Sequence, residues 1–354
     1  MVKCVGGRGG ATPEGVYQHE KTKVGQSGLG RCANIRARAG GPMTSGTRSR
    51  YPGAQPFSDD EFSAKTFFGR QRVSTVVSDQ IIANRLLVLY AKSGLGKTSL
   101  LSAGVAPRLR SDGYLPLSVR VNDMLRGLVV SVYAGVGTEA HRQNVKYVAG
   151  SRESLWAFFK TAQFWQGDVM LTPVLILDQF EELFTLHNEE SRASLLSSLG
   201  YLVRGVCPPG VSDENSTPPA LRIVLSLRED YLGMLEDAVD DIPQILDHRC
   251  RLTPLTLDAA REVMTGPAAL SDRVFSTQPF VYDADAVRLT LNHLSDHTAR
   301  ANQASRYIEP FHLQLVCQRV EHLVKERQQQ GINRPVSAQD LGGESGLATT
   351  LRLL

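Results

Sequence analysis

Cysteine is scarce: the 354 residues hold five, at Cys4, Cys32, Cys207, Cys250 and Cys317, and no two form a C-x-x-C pair. That scatter argues against a disulfide framework or a zinc site and fits reduced thiols in a cytoplasmic protein. Long apolar runs are missing too. None approaches the roughly 20 residues that span a bilayer, so no membrane segment is expected. Excess charge is confined to one end. Residues 1–50 carry nine Lys/Arg against Glu14 and Glu20, within an overall charge of +3, so the remainder is mildly acidic. This head is rich in Gly and Arg and lacks apolar periodicity, so it is expected to be disordered. A nucleic-acid-binding arm is one reading. A solvated tail, or residues ahead of the true start, is the other, and it is favoured because a charge run with little aromatic interleaving says little about nucleic acid.

What the chain does have is an apolar run of strand length, Leu86 to Tyr90, followed by Ala91-Lys92-Ser93-Gly94-Leu95-Gly96-Lys97-Thr98-Ser99 and a helix-compatible stretch. Strand, small-residue loop and helix are the context of a phosphate-binding loop. Successive backbone N–H groups wrap the phosphates of a nucleotide, Lys97 adds a point charge, and the Thr98 hydroxyl ligates Mg²⁺. The pattern is G-x-x-x-x-G-K-[ST] with Ala91 in place of the first glycine. That exchange is mild where φ stays negative, because only a Cβ is added. A similar run at Val24 to Cys32 is a decoy: Arg31 stands where lysine is required, Cys32 replaces the hydroxyl, and no strand precedes it.

The second motif lies 81 residues beyond Lys97, where Val174-Leu175-Ile176-Leu177 ends in Asp178. In a parallel sheet, ligands sit at the carboxyl ends of strands, so Asp178 should share a crevice with the loop and hold Mg²⁺ opposite Thr98. Glu181 and Glu182 follow closely enough to polarise a water for attack on the γ-phosphate; as solvated acids at a helix start they would do nothing of the kind. A third strand tip, Ile223 to Leu227 with Arg228, offers either a reader of the γ-phosphate or a surface arginine paired with Glu229 or Asp230.

Strands are expected at 86–90, 117–121, 173–177 and 221–225. Helices are expected within 62–77, from Lys97 to about Leu109 with a break at Pro107, and over 151–164 and 188–204. Strands alternating with helices imply a parallel sheet covered on both faces, with one strand inserted between the two motif strands. Beyond about residue 255 only helical patterns remain, at 256–269, 283–297 and 310–329. The resulting division is a basic tail over 1–50, an α/β P-loop NTPase core over 51–254 and a smaller all-helical lid over 255–354.

Several blocks together resemble the novel STAND NTPase family of signal-transduction ATPases. They are Tyr51 to Phe57, Phe67-Phe68-Gly69-Arg70, Ser99-Leu100-Leu101-Ser102-Ala103-Gly104, the octet Asp178 to Thr185, Leu221 to Tyr231, Thr265 to Ala268, and Pro310 to Cys317. The resemblance implies an ATP–Mg²⁺ switch: binding closes the lid, oligomers form, and slow hydrolysis resets the state, in defence or stress signalling. It also implies nucleotide contacts from Phe68, Gly69 and Arg70, and from Pro310 in the lid. The acid spacing is similar to that of NACHT ATPases, which favours Glu181 over Glu182 for water activation. Ala91-Lys92 departs from the family's Gly-Pro, and Gln71 stands where an acid is common. Family members usually carry effector and sensor regions, so a fragment or a dependence on partner chains is implied. A nucleotide-bound scaffold without turnover, or a nucleic-acid-remodelling ATPase using the tail, are the competing readings.

Overall fold

The computed structural model describes residues 48–122, 127–211, 217–301 and 307–352. They fall within one compact unit, Ser45–Leu354. The decoy at 24–32 and most of the basic tail lie outside the described residues.

The strands in chain order are β1 Leu86–Ala91, β2 Tyr114–Val119, β3 Lys146–Val148, β4 Gln163–Gln166, β5 Val169–Met170, β6 Thr172–Asp178, β7 Arg222–Arg228 and β8 Arg249–Arg251. Five of them form a wholly parallel sheet in the order β2-β6-β7-β1-β8. β7 therefore lies between β1 and β6, the inserted strand that the motif spacing implied. β1 shows why these runs fold as central strands. Leu86 and Val88 face one hydrophobic cluster, which holds Val132 and Val136 of the helix Leu128–Arg142 and Leu195 and Leu199 of the helix Glu189–Arg204. Leu87, Leu89 and Ala91 face another, with Val77 and Ile81 of the helix Gln71–Ala83 and Leu100 and Leu109 behind the loop. Period-two side chains that meet helices on both sides must be apolar throughout.

Four local expectations are corrected. β8 was not anticipated, since Arg249-Cys250-Arg251 is a three-residue edge strand with charged ends. The helix expected over 151–164 is shorter, Leu155–Thr161; Ser154 caps it by accepting from the Ala157 amide. Phe164 then enters β4 and stacks on Tyr147 of β3 at 5.3 Å, within a small antiparallel sheet β3-β4-β5. No break occurs at Pro107. The chain stays helical from Lys97 to Ser111 through a wide π turn, Leu100–Val105, and proline sits in the first turn of the following α segment, where its missing N–H is tolerated. The segment 62–77 is two helices, Glu61–Thr66 and Gln71–Ala83, separated at Gly69 (φ 75°).

After β8 the chain is helical: Leu257–Ala269, Ala284–Ala301, Pro310–Gln329 and Gly343–Arg352. The last was not read from the sequence. These helices share their own hydrophobic cluster, and Tyr51 is buried within it. Arg50, assigned to the tail on its charge, is fully buried there. Its guanidinium donates to Thr277 Oγ1 at 2.8 Å and to the carbonyls of Pro267, Leu270 and Thr277 at 2.7–2.8 Å. Its backbone N–H meets the Glu321 carboxylate. Residues 48–57 thus run from the helical half to the loop after β1, where the Phe57 amide donates to Ser99 Oγ at 3.2 Å.

Candidate active site

The loop after β1 turns on Gly94 and Gly96, at φ 77° and 84°. A Cβ at Gly94 would meet nothing within 4 Å, so glycine serves the backbone angle there and not the space. Gly96 caps the following helix and its carbonyl accepts from the Leu100 amide at 2.8 Å. Lys97 folds back over the loop, Nζ lying 3.5 Å from the Ala91 carbonyl. Burial lowers its pKa, and the nearby carboxylates of Glu181 and Asp178 work against that.

The register of the sheet assembles the rest. Asp178 of β6 lies opposite Ser226 of β7, and Arg228 lies opposite Ala91 of β1. Thr98 Oγ1 donates to Asp178 Oδ2 at 2.7 Å, and Ser226 Oγ donates to Asp178 Oδ1 at 2.7 Å. The carboxylate is thereby fixed from the loop on one side and from the inserted strand on the other. The chain then turns sharply at Gln179, a non-glycine residue at φ 55°, and the Phe180 amide is held by the Ser226 carbonyl at 2.8 Å. Such a backbone costs about 1–3 kcal/mol and persists where its surroundings over-determine it.

That turn delivers the two glutamates to different environments. Glu181 Oε2 accepts from the Arg228 backbone amide at 3.2 Å. Glu182 has a buried oxygen with no partner, and its pKa is raised, first by burial and then, against Arg120, by the charges of Glu181 and Asp178. The Arg228 guanidinium reaches Asp230 at 2.5 Å, while its buried Nε is unpaired.

These groups open on one cavity of about 660 Å³, a size suited to a nucleotide. Its walls include Ser93–Ser99, Asp178, Glu181, Glu182 and Arg228, together with Phe68, Arg70 and Pro310. Ala91, Lys92 and Gly69 are not on that wall. Gly69 instead lets its loop approach the helix Leu257–Ala269, where a Cβ would lie 2.5 Å from the Ala259 carbonyl. Sequence reasoning did not name Gly53–Phe57 or Gln314 as site residues, although all of them line the cavity. It also missed Ser226, which a lone hydroxyl inside the apolar run 223–227 could have signalled.

The hydroxyl of Thr98 and the carboxylate of Asp178 are hard oxygen donors, already within one hydrogen bond of each other, and that donor set fits Mg²⁺ completed by phosphate oxygens and waters. Among the described residues no group of three or more His, Cys, Asp or Glu could hold a metal alone. No helix among them is long and apolar enough to cross a membrane.

A five-stranded parallel sheet flanked by helices, with a glycine loop after β1 and a carboxylate at the tip of β6, defines a P-loop NTPase fold. The chain belongs to the Novel STAND NTPase 1 family, whose model matches residues 51–283. Among solved structures it is similar to the Walker-type ATPase PABY2304 of Pyrococcus abyssi, with 13% identity and a TM-score of 0.50, over 84% of this chain and 74% of that one. It is also similar to the ORC2 protein of Aeropyrum pernix in ADPNP–ADP complexes, with 12% identity and a TM-score of 0.50, over 79% and 67% of the two chains. At such identities the likeness is one of fold. No curated protein matches the chain.

Proposed function

We propose that this protein is a regulatory ATPase: it binds ATP with Mg²⁺, hydrolyses it slowly, and uses the bound state as a switch that drives lid movement and oligomerisation in defence or stress signalling. The observation that carries the reading is the Thr98–Asp178–Ser226 chain of hydrogen bonds at the foot of a cavity that also holds Lys97, Glu181 and Arg228. In this reading the N–H groups of the loop and Lys97 bind the β- and γ-phosphates. Thr98 and Asp178 would hold Mg²⁺, which when bound neutralises phosphate charge. Glu181, anchored on the Arg228 amide and close enough to Lys97 to perturb it, orients the attacking water, with Glu182 as its alternate. Arg228 leaves Asp230 to stabilise charge developing on the γ-phosphate.

The division into a core over 51–254 and a lid over 255–354 belongs to this proposal, as does a cytoplasmic location. The division is supported by separate hydrophobic clusters, two on the faces of the parallel sheet and one among the helices after β8. The strap 48–57 crosses the proposed boundary, anchored in the helical cluster at Arg50 and bonded at Ser99, and so links loop and helices. The proposed partners are ATP and ADP, with further copies of the chain or separate sensor and effector proteins. The test pairs two readouts on the full chain. Glu181→Gln should abolish phosphate release while leaving ATP binding intact, and light scattering should show a larger mass with a non-hydrolysable ATP analogue than with ADP. Equal mass in both states rejects the switch; release unchanged in the variant rejects Glu181 as the water-orienting residue.

A further inference from the structure

Two residues that line the same cavity, Arg70 and Gln314, each carry a buried polar atom with no partner, Nη2 and Oε1 respectively. Both residues are more than nine-tenths buried, at 7% and 9% exposure. A buried amide oxygen without a donor costs about 1–3 kcal/mol, and an uncompensated guanidinium costs more. Among the described residues no acidic group offsets Arg70, whose pKa falls to about 10 through burial. The same cavity is also lined by the apolar side chains of Phe68, Leu255, Val263 and Pro310. Apolar walls with a few unsatisfied polar groups are how a flat heterocycle is bound and oriented.

We propose that Gln314 reads the base of the nucleotide: its side-chain oxygen accepts from the exocyclic amino group of adenine while Arg70 donates to a ring nitrogen, so that the site selects adenine over guanine nucleotides. The inference rests on the triphosphate reading above. Adenine presents one amino donor beside one ring acceptor on either of its polar edges, and one acceptor plus one donor in the wall complete it. Guanine presents two acceptors on one edge, which strands the Gln314 oxygen. On its other edge it presents an acceptor and two donors, which leaves one donor unpaired against apolar side chains. Sites built around such hydrogen bonds reject ligands that leave them open.

Gln314 also sits one turn beyond Pro310, on the helix Pro310–Gln329. A base held there engages the helical half directly, whereas the phosphates engage the loop after β1. Base recognition is then the contact through which the helical half senses occupancy.

The test is calorimetric binding to the full chain of ATP, purine riboside triphosphate (which lacks the amino group), GTP and inorganic tripolyphosphate. ATP should bind about ten- to a hundredfold more tightly than purine riboside triphosphate or GTP, the range that one unsatisfied buried group sets. Gln314→Leu, similar in volume, should bring ATP down to the level of purine riboside triphosphate and leave the latter unchanged. Equal binding of ATP and its deamino analogue by the wild-type chain overturns the assignment, with no variant involved. An equal loss for both ligands in Gln314→Leu overturns it also, making the residue a packing element. If tripolyphosphate and every triphosphate bind alike, only base reading fails. If none binds, the triphosphate reading itself falls.

Discussion

Ser226→Ala tests whether the inserted strand fixes the acid of the site. The Ser226 hydroxyl is fully buried on β7 and donates to Asp178 Oδ1 at 2.7 Å, while Thr98 occupies the other carboxylate oxygen. Removing it deletes one hydrogen bond to a charged group and opens almost no volume. The backbone bond from the Phe180 amide to the Ser226 carbonyl survives. A hydrogen bond to a charged group contributes about 1.5–3 kcal/mol, so urea unfolding of the nucleotide-free variant should show a loss of about 2 kcal/mol. The functional effect is separable from this. Partners that orient a metal-binding side chain typically alter metal affinity ten- to a hundredfold, so at fixed ATP the Mg²⁺ concentration for half-maximal binding should rise by about that factor. Binding of ATP in EDTA should not change. A variant with wild-type Mg²⁺ dependence and stability within about 0.5 kcal/mol of wild type would refute the idea that Ser226 positions Asp178.

Arg50→Met removes four side-chain hydrogen bonds and leaves Glu321, itself buried, without its neighbouring positive charge. Breaking a buried charged network of this kind costs about 3–5 kcal/mol, and a urea midpoint corresponding to less than about 1 kcal/mol contradicts the anchoring role of the strap. Stability should also fall in acid. Burial raises the pKa of Asp340, but hydrogen bonds from Arg334 and Arg327 outweigh it and hold the carboxyl well below the usual range. A depressed folded pKa gives stability that is present above the unfolded value near 3.8 and is lost as pH falls through and below it. Asp340→Asn should be less stable at pH 7 and show a flatter acid limb; identical acid limbs in wild type and variant would remove Asp340 from the account.

Much of the architecture was legible because the central strands are buried on both faces. Continuous apolar runs at 86–90, 173–177 and 221–225 admit few other structures, and each ends in a residue with site chemistry or borders one. The helix Pro310–Gln329 was bounded by its N-terminal proline and apolar spacing. Elements whose identity depends on partners were illegible. Arg249-Cys250-Arg251 is a strand only because β1 offers it a parallel edge, and 163–170 pairs only because Phe164 finds Tyr147. Arg50 looked like one more tail charge; nothing in its neighbours' types announced the carbonyls of Pro267 and Leu270. At the site, residue types placed Thr98 and Asp178 in one crevice, whereas the different settings of Glu181 and Glu182 depend on the positive φ of Gln179, which no local propensity indicates.

The central claim is that this cavity takes a magnesium–nucleoside triphosphate through its loop and the β6 acid. Calorimetric titration of the folded full chain with ATP and Mg²⁺ tests it most directly, alongside Lys97→Ala and Asp178→Ala. The account predicts saturable binding that Lys97→Ala weakens by at least tenfold and that Asp178→Ala renders insensitive to Mg²⁺. Absence of binding at millimolar ATP, or binding indifferent to both substitutions, would contradict it.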